Sequence, residues 1–236
     1  NENMIDLGKL NMDEFAMGSF TNTSEFGKVS IPHFPERSAG GSSGGSGAAM
    51  AADLFDITVG SDTGGSVRLP ASFCSVVGYK PSYGAFSRYG MISYASSLDQ
   101  AGFFTKDLED LSYLMQSKIS TKDKRDTTSI GLGEYDVIEK EQYSVAYFPE
   151  ILEKEGVQEV VKKAYQKTID ELKSKGVVLK AISIPLMEKA AQIYYIIACS
   201  EASSNLARYQ GVYFGKKLID EKFTGSFWDQ ASQLRS

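Results

Sequence analysis

Histidine is almost missing from these 236 residues: His33 is the only one. A Ser-His-Asp triad or a Cys-His pair would have to be built on it. Its setting, Ile31-Pro32-His33-Phe34-Pro35, has prolines on both sides and reads as an extended surface loop. Serine chemistry here therefore has to use a different base. Cysteine is nearly as scarce. Cys74 and Cys199 lie far apart, which suggests neither a disulfide framework nor a zinc ligand set and points to a reducing compartment. No run of eighteen apolar residues occurs, so no membrane span is expected. A basic field is lacking too. The 25 Lys and Arg are outnumbered by 30 Asp and Glu, for a net charge of −5, which argues against this chain alone gripping nucleic acid. The chain opens Asn1-Glu2-Asn3 with no initiator Met, charged targeting segment or signal peptide, and its true beginning is expected upstream.

What is present is ordinary globular usage, 42% hydrophobic and 23% charged, enough for one sizeable core. Strand and helix signals alternate, the pattern of an α/β fold. Met4–Leu7 is a predicted strand. Asn11, with Glu14 as its partner, predicts the cap of a short helix ending near Met17. Residues 18–38 read as irregular. Pro70 suits the first turn of a helix running to about Val77. Residues 86–95 fit a strand or a packed loop. Thr105 is placed to cap a helix with Leu108, Leu111, Leu114 and Met115 on one face. Residues 117–134 read as an exposed polar loop, and 143–148 as a strand. Val157, Val160, Val161, Ala164, Ile169 and Leu172 mark a long amphipathic helix closed by Gly176. A strand over 177–184 and a helix from about Met187, carrying Ile193, Tyr194, Ile197 and Leu206, complete the described alternation. The charges at Lys162, Lys163, Asp170 and Glu171 read as solvated surface.

Two glycine-rich stretches stand out. The first, Gly40-Gly41-Ser42-Ser43-Gly44-Gly45-Ser46-Gly47, has the composition of a flexible linker but runs straight into a helix-forming segment. Glycines at a helix start usually mark close backbone approach. The phosphate-loop pattern fails because Ser46 stands where Lys is required. The dinucleotide pattern fails because Met50 replaces the last glycine. In the second stretch, Ile57-Thr58-Val59 runs into Gly60-Ser61-Asp62-Thr63-Gly64-Gly65-Ser66. Glycines there can turn several N–H groups into one concavity, which suits a carbonyl oxygen becoming an anion, with a hydroxyl at its rim. The plainer reading is a tight strand-to-helix turn capped by Ser66. One helix and one strand separate the stretches, so the second can return beside the first. Ser42 and Ser66 would then meet at one sheet edge. Without histidine, a lysine kept neutral is the usual base, and a second serine can relay the proton.

The two stretches together resemble the amidase signature family, whose fold is an α/β/α sandwich around a mixed β-sheet and whose triad is Ser–cis-Ser–Lys. By motif position, the resemblance implies that Ser66 is the acyl-forming nucleophile and Ser42 the bridging serine on a cis peptide. Thr63, Gly64, Gly65 and Ser66 would supply oxyanion N–H groups, with Asp62 and Arg68 bracing the loop. Residues 8–18, 80–84, 87–90, 96–100 and 201–209 are similar to the glutaminase-subunit branch of that family, the A subunits of glutamyl-tRNA(Gln) amidotransferases. That implies hydrolysis of glutamine and delivery of ammonia to a B subunit, which uses ATP and Mg²⁺ and handles the tRNA. A small third subunit completes some such assemblies. Met17, Gly18 and Tyr194 or Tyr195 match positions near the substrate pocket, with core packing as the plainer reading.

The family's lysine segment would lie upstream of Asn1, since Lys9, Lys28 and Lys80 fall at other motif positions. The Arg and Asp that hold glutamine would lie beyond Ser236, and Gln210 stands where the pattern has Asp. The expectation is one amidase-type domain over 1–236, incomplete at both ends, with no metal, no cofactor of its own and no activity when isolated. Departures at residues 75–79 and at Gln210 favour a mitochondrial matrix location, with the cytoplasm as the alternative. The rival readings are a stand-alone amidase for another amide, a non-catalytic interaction subunit with a degenerate site, and a glycine-loop nucleotide binder.

Overall fold

The computed structural model describes residues 4–117, 121–132 and 143–209. The chain divides into two units, residues 1–133 with 194–236, and residues 134–193.

In the first unit, strand β5 (Gln100–Thr105) lies between β3 (Ile57–Asp62) and β4 (Val77–Tyr79), and both pairings are antiparallel. Side chains alternate across a strand, so Phe103 and Phe104 face opposite sides. Phe104 packs with Met50, Val67 and Ala71, from helices α1 (Gly44–Ala51) and α2 (Arg68–Cys74) and the residue before α2. Phe103 packs with Ala85, Phe86 and Leu114, the last from helix α3 (Leu108–Gln116). The sheet is thus sandwiched between helices, as the α/β/α expectation required.

Several local expectations change. Met4–Leu7 forms no strand, and Ile5 and Leu7 are exposed; an extended segment needs a partner for its backbone groups. Asn11 does not cap a helix. Its amide donates to Gly27 C=O, its oxygen accepts from Ser24, and a single 3₁₀ turn follows at Glu14–Ala16. Residues 18–38 are not wholly irregular, because β1 (Ser30–Ile31) and β2 (Phe34–Ser38) pair as a hairpin. His33 sits exposed in its turn. Residues 39–50 are buried throughout, which rules out a flexible linker.

Helix α2 starts at Arg68, ahead of Pro70, and stops at Ser75, whose φ is +56°. Residues 86–95 form a packed loop, with Phe86, Tyr94 and Ala95 buried and Gln100 donating to Phe86 C=O. Asp107 caps α3 by accepting from Glu109 and Asp110 N–H, each at 2.9 Å. Thr105 is the last residue of β5, and its hydroxyl donates to Asp107 C=O.

The second unit pairs β6 (Ser144–Tyr147) with β7 (Val178–Ala181) in parallel, joined through α4 (Glu150–Glu153) and α5 (Glu159–Ser174). Gly176, with φ +76°, lies two residues past the end of α5. Ile169 is the buried residue of the predicted apolar face, while Val160 and Val161 are exposed. Of the residues expected on the apolar face of helix α6 (Ala190–Leu206), Tyr194 and Leu206 pack against the cluster around Tyr94, whereas Ile193 and Ile197 are exposed. The buried residues of that helix are the small ones, Ala198 and Ala202, which pack with Tyr94 and Ala95.

Candidate active site

Helix α1 and the residue before it are stitched to β3, an edge strand among the described residues, by the hydroxyls of Ser43, Ser46 and Thr58. Ser43 Oγ donates to Ser61 C=O and accepts from Ser61 N–H, both at 3.2 Å. Ser46 Oγ donates to Val59 C=O at 2.7 Å, and Thr58 Oγ1 donates to Ser46 C=O at 2.9 Å. An edge strand carries a row of unpaired backbone groups, and serine hydroxyls satisfy them here. The fit requires Gly60, where a Cβ would lie 2.6 Å from Ser43 Oγ.

This stitching brings the two glycine loops together. Ser43 N–H donates to Ser66 C=O at 3.2 Å. Ser42 is fully buried and follows a cis peptide from Gly41. Its carbonyl accepts from Asp13 N–H at 2.9 Å, but its hydroxyl has no hydrogen-bond partner, so Ser42 and Ser66 share a sheet edge without a bond between their hydroxyls. Ser66 is 8% exposed and lies between β3 and α2. It does not cap α2 in the expected way: no side chain of the residue preceding the helix does so, and the Asp62 carboxylate takes the N–H groups of Val67 and Arg68.

Asp62 is the hub of the Ser66 loop. Its carboxylate also accepts Gly65 N–H at 2.8 Å and the Arg68 guanidinium through Nε and Nη2. Burial alone would raise its pKa, but the Arg68 guanidinium and the amides of Val67 and Gly65 outweigh that and hold it below the ordinary carboxylate value. Gly65 N–H is thereby turned toward Asp62. The N–H groups of Thr63, Gly64 and Ser66 are not drawn into that carboxylate.

A second carboxylate holds the other side of the loop. Asp99 accepts from Thr63 Oγ1 and from the N–H groups of Tyr94 and Ala95. Burial pushes its pKa up, and those three donors only partly offset it.

Tyr194 lies against Gly64, where a Cβ would come within 2.6 Å of the tyrosine ring. It packs with Tyr94, and burial, then Tyr94, raise its pKa well above the usual tyrosine range. Tyr195 is the more exposed of the pair. Met17 lines a cavity of about 320 Å³ with Tyr94, Cys199, Ala202, Ser203, Leu206 and Ala207. Gly18 packs on Asp13, whose carboxylate would be 2.3 Å from a Cβ there.

Among the described residues, no lysine hydrogen-bonds within this constellation. Lys80 Nζ donates to Pro81 C=O and Lys106 pairs with Asp53. Among the described residues, no cluster of His, Cys, Asp and Glu is assembled to hold a metal. Gln210 lies outside the described residues. Sequence reasoning does not single out Asp13, Thr21 or the Thr63–Asp99 pair. Asp13 and Asp99 fall inside stretches that carry the family likeness, but nothing local marks them as buried.

Comparison with known proteins follows the same lines. The family model described as Amidase matches residues 1–233. The glutamyl-tRNA(Gln) amidotransferase A subunit from Sulfurisphaera tokodaii is 48% identical over 222 residues, which is 93% of this chain and 46% of that protein. The protein of the same name from Staphylococcus aureus is 45% identical over 219 residues, 91% of this chain and 45% of its own length. The crystal structure of the Thermotoga maritima protein of that name superposes with a TM-score of 0.77 at 40% identity, covering 97% of this chain and 50% of that one. Allophanate hydrolase from Kluyveromyces lactis also gives 0.77, at 25% identity, over 97% of this chain and 36% of that one. The chain thus spans about half the length of the curated relatives it matches. With its two glycine loops joined by the Ser43–Ser66 backbone hydrogen bond and residues 1–233 matched by the family model, the chain belongs to the amidase family.

Proposed function

We propose that Ser66 is the nucleophile of an amide hydrolase and that Ser42 carries its proton. The observation behind this reading is the Ser42 hydroxyl, fully buried, without a hydrogen-bond partner, and one residue from the Ser43–Ser66 contact. An unpaired buried hydroxyl costs about 1–3 kcal/mol, and folds rarely keep one without a use.

Ser66 Oγ adds to the amide carbonyl carbon as its proton passes to Ser42 and the Ser42 proton passes to a base. We take that base to be a lysine outside these 236 residues, a reading supported only by the family resemblance. The carbonyl oxygen becomes an oxyanion facing the N–H groups of Thr63, Gly64 and Ser66. Gly65 joins them only if its N–H leaves Asp62. The C–N bond then breaks, and the leaving ammonia takes a proton back through Ser42. Water attacks the resulting Ser66 ester by the same relay, releasing the acid and restoring the serine.

The substrate we favour is the side-chain amide of glutamine, supported by the names of the relatives at 45–48% identity. The product ammonia would pass to a B subunit that uses ATP and Mg²⁺ and handles the tRNA; a small third subunit would be a further partner. Compartment follows from the resemblance alone, the mitochondrial matrix first and the cytoplasm second. Glutamine hydrolysis by the full-length protein assembled with its B subunit tests the reading. Ser66→Ala should abolish ammonia release, and a serine-reactive probe should label Ser66 in the unsubstituted protein. Undiminished release by Ser66→Ala overturns the mechanism. No labelling together with no release favours a non-catalytic interaction subunit. A second reading, a stand-alone hydrolase of another amide, draws on the equal TM-score of the allophanate hydrolase. Release from other amides but not from glutamine would establish it.

A further inference from the structure

Thr21 is fully buried and has φ +47°, a left-handed conformation that a β-branched side chain adopts at a cost. Glycine or asparagine would make the same turn with less strain. The turn is held in place by Asp13, whose carboxylate accepts the N–H groups of Thr21, Asn22 and Thr23 at 2.8, 3.0 and 3.2 Å and the Thr23 hydroxyl at 2.9 Å. Thr21 C=O accepts from Val29 N–H. With the backbone held, a threonine is needed only for what its side chain does.

That side chain bridges the Ser42 loop. Thr21 Oγ1 donates to Gly40 C=O at 2.8 Å, with Ser42 C=O at 3.2 Å as a second acceptor, and accepts Gly44 N–H at 3.0 Å. One hydroxyl therefore ties the residue two before Ser42, Ser42 itself and the first residue of α1. The fit is close enough that a Cβ on Gly44 would lie 2.3 Å from Thr21 Oγ1. Asp13 N–H also reaches Ser42 C=O, and Ser43 N–H is committed to Ser66. The backbone around Ser42 is pinned at each of these points, while its hydroxyl is bonded to nothing. The aim of that hydroxyl is therefore set by its own loop.

We infer that Thr21 is a positioning residue for Ser42: its hydroxyl fixes the loop that aims the Ser42 Oγ, and it touches no reacting atom. The inference rests on Ser42 carrying the proton of Ser66, as proposed above. A displacement of 1 Å at such a relay is enough to slow the chemical step about a hundredfold.

The test compares Thr21→Gly, Thr21→Val and Thr21→Ser in the full-length protein assembled with its B subunit. Glycine suits the positive φ and removes the hydroxyl, valine keeps the shape without it, and serine keeps it. Thr21→Gly should lower kcat for amide hydrolysis at least about tenfold, with KM within about twofold, since only the transition-state interaction is lost. Thr21→Ser should bring kcat back to within about threefold. Labelling of Ser66 by a fluorophosphonate should slow in parallel with kcat. Should Thr21→Gly not fold, Thr21→Val decides the same question: a fall in kcat supports the inference and an unchanged kcat overturns it. Thr21→Ser as slow as Thr21→Gly also overturns it. Ser66→Ala separates the two levels of the argument. If Ser66→Ala is inactive and Thr21→Gly runs at full rate, only the role of Thr21 falls. If Ser66→Ala stays active, the serine mechanism falls as well.

Discussion

Thr63 Oγ1 donates to Asp99 Oδ1 across 2.5 Å, joining the turn before Ser66 to a buried carboxylate 36 residues further along the chain. An ionised carboxylate accepts only, so the threonine proton must point into it. The same carboxylate takes Tyr94 and Ala95 N–H. Asp99→Ala leaves three donors without an acceptor and should cost about 2–4 kcal/mol, read from the urea midpoint. A loss below about 0.5 kcal/mol would mean that water satisfies those donors and that the carboxylate does not hold the loop.

Asp62 and Asp99 should respond to acid in opposite directions. The folded-state pKa of Asp62 lies below the ordinary value of 3.8, so its contribution is present above that value and is lost as pH falls through the lowered one. The folded-state pKa of Asp99 lies above 3.8, so its contribution is present below that value and is lost as pH rises through the raised one. Denaturation midpoints followed from pH 6 down to pH 2 should show the destabilisation by Asp62→Asn shrinking once pH drops below about 4. A pH-independent difference would count against the Arg68–Asp62 pairing as the source of the lowered value.

Ser42→Ala should separate activity from stability. Removing a buried hydroxyl that makes no hydrogen bond should leave the folded state at least as stable as the original, and more stable by up to about 1–3 kcal/mol. Amide hydrolysis should fall on the order of 10³-fold or more, as when one member of a nucleophile–relay unit is removed. Thermal melts and initial rates on one preparation give both numbers, and activity surviving intact would remove Ser42 from the mechanism.

Gly64→Ala brings a methyl group to within 2.6 Å of the Tyr194 ring, which is itself packed against Tyr94. Overpacking of this kind costs about 1–3 kcal/mol. Tyr194→Ala should relieve it, so the double variant should be more stable than the sum of the single changes by about 0.5–3 kcal/mol. Strict additivity in a denaturation cycle would show that ring and loop do not touch.

Much of the architecture was legible where a pattern is local. The long helix ending before Gly176, the strands on either side of it and the helix closing the cluster around Phe103 follow from periodicity and punctuation. The errors arose where two nearby residues compete for one task. Thr105 and Asp107 are both good caps, and β5 pairing took the threonine. Asn11 was a plausible cap until Gly27 and Ser24 claimed its amide. Hydrophobicity marks Ile169 of α5 and Tyr194 and Leu206 of α6 as packing residues, but not Ala198 and Ala202, the small residues through which α6 reaches Tyr94 and Ala95. Composition alone would make residues 40–47 a linker, but the helix-forming segment after them argues otherwise, and the Ser43 and Ser46 hydroxyls bond the backbone of β3 while that of Ser42 stays without a partner.

Sequence alone determined the inventory of the site: one histidine placed out of reach, two glycine loops one helix and one strand apart, and a serine in each. Tertiary structure decided which side chains govern those serines, namely Asp62 and Asp99 around the loop of Ser66, and Asp13 with Thr21 around that of Ser42. The division has a physical cause. Helix and strand periods are written into neighbouring residues, whereas a hydrogen bond from a threonine to a carbonyl 19 residues away depends on where the folded backbone brings the two groups.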